Sequence, residues 1–191
     1  MPRLRQAERG QRAVLFVDAA HFVYGPLLGF VWCLVRLFVP APAGRKRYSV
    51  LGALDAVTRR RIRVSTTGGV VAAAVCALLR AVAAAGLGWP VTLVLDNARY
   101  QHTADVKALA RLLRIELLYL PSYSPNLNLI ERLWRFVKQE AVASRYRPTF
   151  AEFQGAIDDC LDHLSTRHRS QIESLITLNF QSFGFEPVLA A

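Results

Sequence analysis

Short apolar runs alternate with turn-forming residues along most of the chain, and their lengths sort them into strands and helices. "RAVLFVD" (12–18) is almost wholly apolar and stops at Asp18, the pattern of a strand covered on both faces. "FVWCLVRLFV" (30–39) is aromatic and β-branched and reads as a second strand; "PAPAGRKR" (40–47) then reads as a basic turn. "YSVLGALDA" (48–56) and "RRRIRVST" (59–66) read as two more strands joined by a tight turn. The latter alternates arginine with Ile62 and Val64, which leaves one face wet and basic. An Ala-rich helix is predicted over 68–86, ended by glycines and Pro90. "PVTLVLDN" (90–97) repeats the opening pattern, an apolar strand stopping at Asp96.

Helical spacing of Val106, Leu109, Leu112 and Leu113 predicts a helix over 102–114, and "IELLYLP" (115–121) another strand. The loop "PSYSPN" leads into a helix over about 127–145, where Ile130, Leu133, Trp134, Val137 and Ala141 form one apolar stripe. A last amphipathic helix spans 149–164, with Thr149 as N-cap and Glu152 three residues on. Strands first and alternating helices and strands afterwards predict an α/β fold, a mixed sheet flanked by helices.

Composition narrows the function. The 191 residues hold 24 Lys and Arg against 14 Asp and Glu, a net charge of +10, so a polyanion is the expected partner, nucleic acid ahead of an anionic membrane surface. Three separated cysteines without a C-x-x-C pair suggest neither a disulfide framework nor a zinc knuckle, and fit a reducing, cytoplasmic setting. The two most apolar stretches are interrupted by Arg36 and Arg80, so neither supplies the ~20 apolar residues of a membrane span, and no membrane partner is expected.

Asp18 and Asp96 each close an apolar strand. If those strands are parallel neighbours, the two acids lie side by side at the carboxyl edge of the sheet, where open α/β sheets build sites. Either alone is as readily a turn cap. Glu131 is the candidate third acid; taken alone it reads as a capping-box acid after Asn128 with one surface pair to Arg135. Two aspartates and a glutamate form an all-oxygen donor set suited to Mg²⁺ or Mn²⁺, and two such ions can clamp an in-line phosphoryl displacement.

Three blocks, "FVDAAHF", "LVLDNARYQH" and "LPSYSPNLNLIERLW", together resemble the signature blocks of mariner-like bacterial insertion-sequence transposases, members of the DDE endonucleases. The 34 residues between Asp96 and Glu131 match that group, and the resemblance covers roughly residues 12–165. It implies a ribonuclease H-like domain with a mixed five-stranded sheet and helices on both faces. It further implies catalytic, metal-holding Asp18, Asp96 and Glu131 with two Mg²⁺ (or Mn²⁺), supported by Asn97 and His102. The expected chemistry is cleavage at element ends and strand transfer into target DNA. DNA phosphates would be tracked by Arg45, Lys46, Arg47, Arg59, Arg60, Arg61, Arg99, Arg132, Arg135 and Lys138. A homodimer or multimer on double-stranded DNA, associated with the nucleoid, is expected.

Two departures accompany the resemblance. Leu129 stands where the family often has proline, and residues 1–11 leave room only for a basic remnant or linker where the family carries a helix-turn-helix domain. A separately encoded helix-turn-helix partner would then supply end recognition. Residues 166–191 are expected as a tail, helical or partner-docking. The alternative is a truncated or decayed transposase acting only as a non-catalytic DNA-binding module.

Overall fold

The structure, a computed structural model, describes residues 2–25, 46–121, 127–143 and 145–178. Five strands form one sheet: β1 (Ala13–Val23), β2 (Arg47–Asp55), β3 (Arg61–Thr66), β4 (Val91–Leu95) and β5 (Ile115–Tyr119). Their order is β3-β2-β1-β4-β5. β1, β2 and β3 pair antiparallel, while β4 joins β1 and β5 in parallel. The predicted strand over 30–39 and the turn after it lie outside the described residues, except for Lys46 and Arg47.

Both faces of the sheet are covered, which is why β1 and β4 read as continuous apolar runs rather than alternating ones. On one face, α2 (Ala72–Ala84) and α3 (Ala104–Leu112) cover Leu15, Leu51 and Leu93. On the other, α4 (Ile130–Val137) and α5 (Phe150–Asp162) cover Phe16, Val50, Leu54 and Val94. Leu15 and Phe16, neighbours facing opposite ways, are both fully buried; each such side chain contributes roughly 1.5–3 kcal/mol of transfer free energy. Thr149 caps α5 as predicted, its hydroxyl oxygen accepting the Glu152 N–H at 3.2 Å.

Two further helices appear. The first residues form α1 (Pro2–Glu8) rather than a linker. Arg3 donates to Glu116 at 2.7 Å, and Arg12 bonds Thr92 at 2.8 Å and Glu116 at 2.9 Å, tying the segment to the amino ends of β4 and β5. Within the expected tail, α6 (Arg169–Leu175) buries Ile172. The helix predicted over 127–145 is split: regular α4 ends at Val137 and a π-helical turn runs from Lys138 to Val142.

One close approach sets the position of α4. A Cβ placed on Gly52 of β2 would lie 2.7 Å from Cζ2 and 2.8 Å from Cη2 of Trp134. The missing side chain therefore lets the Trp134 ring lie against the sheet and draws the first turn of α4 down with it.

Candidate active site

β1 does not stop at Asp18. It continues to Val23 because β2 keeps pairing with it as far as Val23↔Arg47. β4 is shorter, and its last pairs with β1 include Leu15↔Leu93 and Phe16↔Val94. Carried two residues further, that register sets Asp18 opposite Asp96, so both acids stand just beyond the parallel ladder. Directly opposed residues share a face of the sheet, and here it is the face covered by α4. Asp18 also pairs with Gly52 on its other side, the position against which Trp134 packs.

Glu131 occupies the first turn of α4 and is half-buried. With Asp18, Trp134, Arg135 and Lys138 it lines an open cleft of about 280 Å³. Asn128 does not cap this helix with its side chain. Its amide is drawn instead to β1, where Nδ2 donates to the Val17 carbonyl at 3.3 Å. That bond pins the helix entry beside Asp18, and Leu129 in the family's proline position is compatible with it.

Asp18 senses both of the other acids. Burial pushes the Asp18 carboxyl up from 3.8 to about 7, assisted by the charges of Asp96 and Glu131 and opposed by the Ala19 N–H and Lys138. Glu131 is likewise raised, first by burial and then by Asp96, with Arg135 and Lys138 acting the other way. Tyr100, which the sequence reading passed over, has its hydroxyl pushed up to about 12 by burial and by Asp96 and Asp18. It stays a proton donor beside the pair.

Among the described residues, no three His, Cys, Asp or Glu side chains already stand together closely enough to hold a metal ion. Repulsion among unscreened carboxylates opposes closer approach. The donor set nevertheless fits a hard divalent cation, being all oxygen, and burial, the first cause of the raised Asp18 and Glu131 carboxyls, leaves their charged forms poorly solvated without one. Asn128 Oδ1, buried and without a hydrogen-bond partner, adds an unused oxygen near β1.

A pH dependence follows. Asp18 binds its proton more tightly folded (about 7) than unfolded (3.8). The unfolded chain therefore loses that proton first, and the metal-free protein loses stability as pH rises from about 4 to 7. Asp18→Asn removes this loss, so thermal melts of the variant in EDTA should show a higher midpoint than the unsubstituted protein at pH 8 and a smaller difference at pH 4.

The turn after Asp96 holds Asn97 and His102, the residues expected to support the acids. Asn97 adopts φ 74°, a left-handed conformation that asparagine tolerates. Its side-chain oxygen is hydrogen-bonded to His102 Nε2, and the His102 ring stacks on Tyr119 at 4.1 Å between centroids. So His102 and Asn97 act together, with His102 holding Asn97. Gln101 is fully buried and donates from Nε2 to Asp96 Oδ1. Nothing in "YQH" singles out Gln101 in the sequence.

The predicted basic residues divide. Arg135 and Lys138 line the acid cleft, and exposed Arg99 lies on the turn Arg99–His102 next to Asn97. Arg47 starts β2 opposite Val23, beyond Asp18, and Lys46 lies 5.7 Å over the Phe150 ring. Arg59, Arg60 and Arg61 are instead at the β2–β3 turn, near the amino end of β1 and away from the acids. Arg59 donates to the Ile176 carbonyl at 3.4 Å. Arg132 is directed to the end of α6, where Nη1 donates to the Thr177 carbonyl at 2.9 Å, so its side chain ties down that helix rather than facing the cleft. Arg45 lies outside the described residues.

Comparison with known proteins agrees with this fold. The family model of the DDE superfamily endonucleases matches residues 13–154. A search of curated proteins returns no match. Among solved structures, the pre-cleavage Mos1 transpososome aligns with a TM-score of 0.63 at 15% identity, covering 95% of this chain and 60% of that one. The Mos1 transposase paired-end complex with left transposon end gives 0.62 at 15% identity, over 93% and 60% of the two chains. The HTLV-2 integrase catalytic core domain gives 0.53 at 14% identity, over 81% and 86%. The chain thus spans about 60% of the transposase chains it matches, and the likeness to them is one of fold, the ribonuclease H-like fold of transposase and integrase cores. With most of its length matched by the family model, the chain belongs to the DDE superfamily endonucleases.

Proposed function

We propose that this chain is the catalytic domain of a transposase, cutting DNA at element ends and transferring the freed 3′-hydroxyl ends into target DNA. The observation that supports the reading is the position of Asp18 and Asp96 just past the end of the parallel ladder, with Glu131 lining a cleft with Asp18 and the charges of Asp96 and Glu131 both acting on Asp18. Solved relatives of the fold include the Mos1 mariner paired-end complex with Mn and the same complex with Mg, which supports divalent-metal use here.

The three carboxylates would hold two Mg²⁺ or Mn²⁺, which when bound activate the attacking hydroxyl and stabilise the leaving oxygen. Asp18, whose carboxyl burial raises to about 7, must lose its proton before it can serve as a ligand. Glu131 approaches on a helix held by Trp134 and Asn128, so its position depends on packing rather than on a flexible loop. Arg135 and Lys138 keep the approach to the acids positive and receive the phosphates flanking the scissile bond. Asn97, one residue after Asp96 and hydrogen-bonded through its side-chain oxygen to His102, would orient a bound water or a phosphate oxygen through its amide.

In this reading residues 12–165 are the catalytic unit, end recognition comes from a helix-turn-helix region elsewhere, and two copies bridge a pair of DNA ends. Nicking of supercoiled plasmid DNA tests it: the chain should convert plasmid to the open circle with Mg²⁺ or Mn²⁺ and not with EDTA. No nicking at any divalent concentration, with DNA binding intact, would favour a non-catalytic binding module.

The cleft cations have their own test. Arg135→Gln and Lys138→Gln should each weaken DNA binding uniformly across sequences. Each should also lower the slope of log affinity against log salt by about 1. Arg132→Gln should leave that slope unchanged and lower thermal stability instead, because its guanidinium holds carbonyls at the end of α6.

A further inference from the structure

The side chain of Gln101 is fully buried although it is a polar amide on a short surface turn. Such a group is costly to bury unless its hydrogen bonds are made. Its Oε1 accepts the Ala98 N–H at 3.1 Å. That contact fixes the amide orientation, since only the oxygen can accept from a backbone N–H. The Nε2 end must then face Asp96, and it donates to Oδ1. The backbone is held as well: the Gln101 N–H donates to the Ala98 carbonyl at 3.0 Å, and the Gln101 carbonyl accepts from the Tyr119 hydroxyl at 3.1 Å. Asp96 itself is exposed and lies past the end of β4, with no ladder bond to orient its carboxylate.

We infer that Gln101 is a positioning residue for Asp96, its amide holding one carboxylate oxygen so that the other is presented to a divalent cation. The inference rests on the proposed metal-binding role of Asp96. A carboxylate on an exposed loop rotates among several orientations. A fixed donor on one oxygen removes most of that freedom before the cation arrives, as partners of metal ligands commonly do. Gln101 links this restraint to β5, because the same residue is bonded by Tyr119 at the end of that strand. A purely structural role is the competing account: the Ala98 contact alone closes the turn in the manner of a capping box.

Titration of the purified chain with Mn²⁺, with free Mn²⁺ followed by electron paramagnetic resonance and no DNA present, separates the two. Gln101→Met keeps length and volume and removes the donor. Its dissociation constant for Mn²⁺ should rise about tenfold or more, while circular dichroism remains that of the unsubstituted chain. If the residue only closes the turn, the variant loses thermal stability or active fraction, but the folded remainder binds Mn²⁺ with an unmoved midpoint, and the inference is overturned. Should the variant fail to fold, the Mn²⁺-bound crystal structure of the unsubstituted chain decides. Nε2 of Gln101 still on Asp96 Oδ1 with the ion on the other oxygen supports it; an Asp96 swung away from Gln101 overturns it. An unsubstituted chain that binds no Mn²⁺ at all removes the metal reading, and this inference with it.

Discussion

Asp96→Asn should abolish divalent-dependent DNA cleavage, by about a thousandfold or more, while circular dichroism and DNA binding in EDTA stay unchanged. The magnitude follows from what a metal-assisted displacement loses when one ligand oxygen and one negative charge are removed from a site worth several kcal/mol of transition-state stabilisation. The fold should survive because Asp96 lies beyond the end of β4 and is exposed; its side chain buries nothing. Asparagine can still accept from the Gln101 amide, so the turn keeps its shape. Cleavage assays of the variant with Mg²⁺ and with Mn²⁺ read the effect, and activity within tenfold of the unsubstituted chain would remove Asp96 from the chemistry.

Gly52→Ala should be the most damaging substitution that removes no candidate catalytic group. A methyl there meets two carbons of Trp134 at 2.7 and 2.8 Å and Ile130 Cδ1 at 3.1 Å. The ring is buried and packed against the sheet, so the contact is relieved only by moving α4, at a cost of about 1–3 kcal/mol. Glu131 sits one residue after Ile130 and three before Trp134, so the same displacement moves the third acid relative to Asp18. The expected result is lower thermal stability together with at least a tenfold loss of cleavage. Gly52→Ala combined with Trp134→Phe removes the clashing carbons and should recover part of both losses. A double variant no better than the sum of the singles would show that the ring is not what Gly52 accommodates.

The features legible in the sequence were those written in local patterns. Apolar runs closed by Asp18 and Asp96 marked strands, and the stripe from Ile130 to Val137 marked the helix that carries Glu131. The hidden features depend on partners distant in sequence. β1 runs past Asp18 because β2 remains beside it, which "AAHFV" alone does not reveal. The α1 segment turns only Leu4 and Ala7 to the core, and Arg3 and Arg12 anchor it through Glu116, more than a hundred residues away. Asn128 resembled a cap in sequence, yet its amide goes to the Val17 carbonyl. Arg132 looked like one more cation beside Arg135 until α6 supplied its acceptors. Gln101 is polar and buried, and nothing in "YQH" distinguishes it from a surface residue before the turn folds back onto Asp96.

The net charge of +10 was legible as a reason to expect a polyanion, but its distribution was not. Arg135 and Lys138 border the acids, whereas Arg59, Arg60 and Arg61 cluster at the β2–β3 turn, toward the other end of β1. Arg135 and Lys138 offset part of the rise that burial imposes on the Glu131 carboxyl, and under the proposed function they would draw phosphate toward the cleft.

The central claim is that one residue from β1, one from the end of β4 and one from α4 form a single divalent-cation site. The most direct measurement is the anomalous difference map of a crystal of this chain soaked in Mn²⁺. The account predicts peaks bonded to carboxylate oxygens of Asp18, Asp96 and Glu131 together, with α4 and the Asp96 turn closed toward them. Peaks that leave any one of the three acids uncoordinated at saturating Mn²⁺ would contradict it.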